Sequence, residues 1–259
     1  MKQIIIFIGC WVHQFVNDIK FFDALEKTLG CTVKRRSTFT YVTTINNSKI
    51  TFQFCFGPNN DNVWKERKRI RTQEGLQAPP SIEHLAKKNI KADGIYYLGF
   101  CGVLKGEKHN VYLPDIFIKL DFKEYAIHHK HVDEMILSKK IYYPNKLLGI
   151  IHGKRCTTVT SNQVLSLKYV NNHSNDVLKA LSKKLARYAD VVEMENYELI
   201  KHFGKKYPIG IFLYGTDIPS NKKYSLQSQP SKFNWNKFNK LGIGMIKKIV
   251  SQHAAKTRN

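Results

Sequence analysis

Residues 94–102 read Gly-Ile-Tyr-Tyr-Leu-Gly-Phe-Cys-Gly, an apolar run closed by two glycines. The unbroken apolar character predicts a strand buried on both faces over Gly94–Leu98. Gly99 and Gly102 then predict an exit where a ligand approaches the backbone closely, or a tight turn that needs no ligand. Two more runs share this form: Ile4–Ile8 ends at Gly9, and Ile209–Tyr214 closes at Gly215-Thr216-Asp217. Helical spacing marks Phe15–Leu29, stopped by Gly30, then Ile82–Lys88 and Asn175–Ala189. It marks also Glu195–Phe203, stopped by Gly204, and amphipathic Lys237–Ser251. Phe39–Thr44 and Ile50–Phe56 flank Asn46-Asn47 and predict a hairpin, and 111–127 carries strand-like patches. Buried strands alternating with helices predict an α/β fold, a mixed central sheet flanked by helices on both faces, as a single domain over 1–259. In such sheets ligands sit beyond the carboxyl ends of strands, so the three glycine-marked ends are expected to converge.

Composition narrows the class. The 259 residues are 42% hydrophobic and 24% charged, which suits a folded domain with a sizeable core. Nothing approaches the roughly 18 consecutive apolar residues of a membrane helix. The opening MKQIIIFIG is too short an apolar run to predict a secretory signal. Five cysteines form no CxxC pair, so neither a disulfide scaffold nor a zinc ribbon is expected, and a reducing cytoplasmic setting is. Lys and Arg number 42 against 20 Asp and Glu, a net charge of +22. The excess gathers at KERKRIR, 65–71, and over 201–259, where Asp217 is the single acid. It reads as a solvated face, as attraction for a phosphorylated substrate, or as a nucleic-acid surface, the last less favoured. His128, His129 and His131 have no convincing metal partner beyond Asp133, and no metal site is expected.

Chemistry concentrates in two places. Asp217 ends an apolar strand and precedes Ile218-Pro219, so it reads either as the start of a turn or as a partly desolvated general acid. The stretch VVEMENYEL, 191–199, sets Glu193, Glu195 and Glu198 near a helix start. There they suit the helix macrodipole, or they suit a grip on adjacent ribose hydroxyls with Met194 as an apolar wall.

The ordered set LGFCGVLKG, VVEMEN and GTDIPS resembles the nucleoside phosphorylase and nucleosidase superfamily, and among its members AMP nucleosidases first and methylthioadenosine/adenosylhomocysteine nucleosidases next. The resemblance implies cleavage of the N-glycosidic bond of a purine nucleoside or nucleotide, without a cofactor, by a homo-oligomer. By the same resemblance Asp217 is the general acid toward the purine. Glu195 holds the ribose, with Met194 beneath the sugar and Glu193 nearby. Gly99, Phe100, Cys101 and Gly102 line the pocket. Phosphorylases of the group carry an Arg just before the glycine pair, where this chain has Tyr96, Tyr97 and Leu98. His13 stands where those enzymes carry a second Arg and the hydrolases a Glu, which makes it the candidate water-activating base. Val164 replaces an expected base-stacking aromatic, and Phe100 an expected Ser or Thr. A nucleosidase is therefore the leading expectation. A phosphorylase with a non-standard phosphate site and a nucleoside-binding protein without turnover stand as alternatives.

Overall fold

Strand β1 (Lys2–Gly9) lies between two parallel neighbours, β4 (Ser48–Cys55) and β5 (Gly94–Val103). In turn β5 pairs in parallel with β11 (Ile209–Asp217). In β1, β5 and β11 the apolar runs lack alternation, as burial on both faces requires, whereas β4 alternates buried and half-buried residues. They belong to a computed structural model that describes residues 1–9, 20–55, 80–122, 135–161, 175–219 and 234–255. On the outer side β4 pairs antiparallel with β3 (Thr40–Ile45), and β3 with β2 (Lys34–Ser37). Asn46 and Asn47, at φ 48° and 60°, make the hairpin turn between β3 and β4. Positive φ at both central residues matches the twist of the strands it joins.

Beyond β11 the sheet closes on itself. Strand β6 (Val111–Phe122) runs antiparallel to β11 and parallel to β9 (Lys154–Ser161). Short β10 (Val191–Glu193) pairs in parallel with β9 and antiparallel with β5. The circuit β5-β11-β6-β9-β10 therefore returns to β5, while β7 (Met135–Leu137) and β8 (Ile141–Tyr142) pair with β6. The sheet is mixed, as expected, and its closure into a circuit is a feature the sequence did not announce. It also lengthens two strands. The run expected to end at Leu98 continues to Val103, because β10 and β11 supply ladder partners on both sides of Gly102. The run expected to end at Tyr214 continues, through a bulge, to Asp217.

Five helices lie among the described residues: α1 (Phe21–Leu29), α2 (Ile82–Ala86), α3 (Asn175–Leu185), α4 (Asn196–Phe203) and α5 (Trp235–Ala255). The described part of the first helix starts later than its periodicity predicts, and residues 10–19 lie outside the described set. Gly30 ends it at φ 61°, its N–H bonded to the Glu26 carbonyl at 2.9 Å. Alternation along the parallel strands feeds separate cores. Ile4, Ile6, Ile8 and Leu98 pack with Phe21 and Leu25 of α1 and Ile246 and Ile249 of α5. Phe7, Ile95 and Tyr97 join Leu85 of α2 and Leu199 and Phe203 of α4. Ile118, Leu120 and Val159 join Leu181 and Leu185 of α3. Each such fully buried side chain contributes about 1.5–3 kcal/mol.

A buried asparagine locks the turn of the circuit. Asn145 donates to the carbonyls of Pro114 and Ile211 at 3.0 and 2.8 Å, and accepts from the amides of Leu147 and Ile211, both at 3.0 Å. It thereby ties the irregular stretch of β6 at Pro114–Ile116 to β11. No helix among the described residues is long and apolar enough to cross a membrane.

Candidate active site

Gly102 is where the chemically interesting segments meet. In the β5 ladder it stands opposite Asp217 on one side and Val192 on the other. Neighbouring strands lie about 4.8 Å apart, so the backbones at Asp217 and Val192 are roughly 10 Å apart across one strand. Only glycine fits between them. A Cβ at Gly102 would fall 2.7 Å from Cγ of Pro219 and 3.0 Å from Cγ1 of Val192. The bulge between Gly215 and Asp217 leaves Thr216 over, and its hydroxyl donates to the Cys101 carbonyl at 3.3 Å.

From Val192 the chain passes through Glu193 and Met194 to Glu195, which caps α4 without a side-chain capping bond of its own. Glu193 does that work. One of its oxygens accepts the backbone N–H groups of Glu195 and Asn196 at 2.6 and 2.7 Å. The other lies in short hydrogen-bonding contact with the Thr160 hydroxyl, with Thr158 at 3.5 Å. Thr160 itself accepts the Tyr197 N–H at 2.8 Å. These acceptors satisfy amides that a helix start leaves unpaired. Burial first, and the Glu195 carboxylate second, push the Glu193 carboxyl from its ordinary 4.5 up to about 8 against the pull of its donors. Glu193, Met194 and Glu195 are all buried.

Glu195 meets β5 through Tyr97, whose hydroxyl donates to Oε2 at 2.8 Å. The tyrosine ring lies along the sheet over two glycines. A Cβ at either Gly9 or Gly99 would sit 2.6 Å from the Tyr97 hydroxyl oxygen. The glycines marking these strand ends are thus required by an aromatic side chain that reaches a carboxylate. Burial, followed by the nearby Glu195, holds the Tyr97 hydroxyl well above its usual value, so it stays a donor.

The remaining candidates divide. Cys101 shares the core of Tyr97, whereas Phe100 turns to the opposite core and packs on Phe238 and Trp235 of α5, centroids 4.8 and 6.0 Å away. Phe100 is therefore not brought to Glu195. His13, Val164, the 65–71 basic run and the 128–131 histidines lie outside the described residues, as does the side chain of Asp217. Glu198 lies one turn beyond Glu195 in an ion-pair network. Lys119 reaches one of its oxygens at 3.1 Å, and Lys201 and His202 the other at 3.3 and 3.4 Å. Burial alone would raise its carboxyl, but Lys119 and then Lys201 hold it below the ordinary value. Glu83, Glu198 and His202 bring possible ligand atoms within 4.8 Å of one another, yet the two lysines already neutralise the central carboxylate. Sequence reasoning missed Thr160 and the role of Tyr97. The signal for Thr160 was an alternating KRCTTVTS stretch with threonine on its buried face.

No family model and no curated protein matches this sequence. Solved structures do match in shape. The 5′-methylthioadenosine/S-adenosylhomocysteine nucleosidase of Campylobacter jejuni aligns over 99% of this chain and 100% of its own, at 13% identity and TM-score 0.55. A futalosine hydrolase variant of Helicobacter pylori aligns over 96% and 99%, at 12% and 0.57. A variant of the Chlamydia trachomatis methylthioadenosine nucleosidase, solved with methylthioadenosine bound, aligns over 97% and 98%, at 9% and 0.57. The chain has the fold of the nucleoside phosphorylase and nucleosidase superfamily, along essentially its whole length.

Proposed function

We propose that this protein is an N-ribosyl hydrolase that cleaves the N-glycosidic bond of a purine nucleoside or nucleotide. The observation that carries the reading is the double registration on Gly102, with the segment leading to Glu195 on one side and Asp217 on the other. Breaking this bond builds positive charge on the sugar and negative charge on the departing purine, as in glycoside hydrolysis. Asp217 supplies the proton that the leaving base needs. Glu195 grips the ribose hydroxyls, and its charge favours the cationic sugar. Each role is worth about 10²–10⁴ in rate. Glu193 enters this reading as the buried support of Glu195, since its oxygens are already turned to Thr160 and the helix amides. His13 is the proposed base for the attacking water.

Hydrolysis is favoured over phosphorolysis because tyrosines stand where phosphorylases of this group carry an Arg, and Tyr97 is directed at a carboxylate rather than offering a cation. The +22 charge favours a phosphorylated substrate among the purine ribosides. A chromatographic panel of AMP, adenosine, methylthioadenosine, inosine and guanosine, each with and without phosphate, tests the proposal. Release of base from at least one compound, independent of phosphate, is expected. Release that requires phosphate, or none from any compound, would overturn it.

A further inference from the structure

We infer that Tyr97 is a positioning residue that orients Glu195 for the sugar and so sets selectivity for ribosyl over 2′-deoxyribosyl substrates. The inference rests on the reading of Glu195 given above and adds the residue that holds it.

Like Tyr96, whose hydroxyl meets Nε2 of His253 at 3.0 Å, Tyr97 turns its hydroxyl to a distant side chain, and it alone of the two turns it to a carboxylate. Tyr112 and Tyr143 direct their hydroxyls at backbone carbonyls, of Glu107 and Tyr207, which is how a buried phenol is usually satisfied. Tyr97 instead donates to the Glu195 carboxylate, 98 residues away in sequence, at 2.8 Å. Two strands give up side chains to allow it, since a Cβ at Gly9 or Gly99 would press on the same hydroxyl. The acids and thiols that face this hydroxyl are Glu195, Cys55 of β4 and Glu193 of β10. Burial beside these groups keeps its proton in place, so it remains a donor to the carboxylate.

A hydrogen bond to an ionised group is about twice as strong as one between neutral groups, and it fixes the plane of the carboxylate. A glutamate left to rotate must lose that freedom when the ligand arrives, which weakens binding. The effect is selective. A carboxylate held in one plane engages two adjacent hydroxyls together, whereas a 2′-deoxy sugar presents one and depends less on the orientation. A packing role for Tyr97 predicts no such difference.

The experiment measures kcat/KM for the riboside the enzyme cleaves, adenosine in the first instance, and for its 2′-deoxy analogue. It compares the wild type, Tyr97→Phe, Glu195→Gln and the double variant. Phenylalanine keeps the ring, and the melting temperature checks the fold. If Tyr97→Phe does not fold, 3-fluorotyrosine at this position keeps the hydroxyl but makes it more acidic, and the ratio of kcat/KM for riboside over deoxyriboside should shift, an unchanged ratio overturning the inference. We expect Tyr97→Phe to lose about tenfold on the riboside and clearly less on the deoxy analogue. Added to Glu195→Gln, it should cost little more. Equal losses on both sugars, no loss, or additive losses in the double variant would overturn the inference while leaving the ribose grip intact. A wild type that neither cleaves nor, by calorimetry, binds any purine riboside would overturn the grip and the inference together.

Discussion

Glu193→Gln changes one atom of the buried carboxyl pair and removes its ability to ionise. In the native protein Glu193 holds its proton to about pH 8 rather than 4.5, because it is buried and lies beside Glu195. Between those values the native state binds more protons than the unfolded state. Stability from this group is therefore fully present below about pH 4.5 and is lost as pH rises toward about 8. One proton corresponds to about 1.4 kcal/mol per pH unit. Across the window the loss is on the order of 5 kcal/mol, and between pH 5.5 and 7.5 on the order of 3. Glutamine fits the site as the protonated acid does. Its carbonyl can accept the amides of Glu195 and Asn196, and its NH₂ can donate to the Thr160 hydroxyl. The variant should thus match the wild type near pH 5 and become steadily more stable than it toward pH 8. Urea unfolding followed by circular dichroism at several pH values gives the comparison, and the difference between the two proteins cancels the titration of groups that do not interact with Glu193. Parallel stability curves for the two proteins would refute the assignment of the retained proton to Glu193.

Two further substitutions probe the framework of the site. Asn145→Ala strands two carbonyls and two amides inside the circuit. It should cost about 3 kcal/mol or more in urea unfolding, where a loss below about 1 kcal/mol would show the lock to be dispensable. Gly99→Ala drives a methyl against the Tyr97 hydroxyl and should cost about 1–3 kcal/mol. Combining it with Tyr97→Ala should relieve much of that cost, and strict additivity by thermal denaturation would count against the contact.

Much of this molecule is legible in its residues, and the parts that are not share a cause. The runs at Ile4–Ile8, Gly94–Leu98 and Ile209–Tyr214 became adjacent parallel strands because their unbroken apolar character admits little else. The Asn46-Asn47 turn announced its hairpin through residues that tolerate positive φ. The closure of the sheet was hidden because it depends on β10, three residues long, and on β9, whose buried face is built from threonines. At the site, VVEMEN and GTD drew attention to strand ends that the structure places on either side of Gly102. The division of labour between Glu193 and Glu195 was not readable, since it is decided by partners on β9 and β5 far away in sequence. The placement of Phe100 was hidden for a simpler reason. Alternation along β5 sends it to the face opposite Tyr97 and Cys101 once the strand continues past Gly99.

Whether Glu195 and Asp217 serve one reaction is decided most directly by following free-base release from the cleaved riboside in the wild type, Glu195→Ala and Asp217→Asn, all with matched melting temperatures. Loss of about 100-fold or more in each variant is the predicted result. Release at the wild-type rate in both would contradict the account.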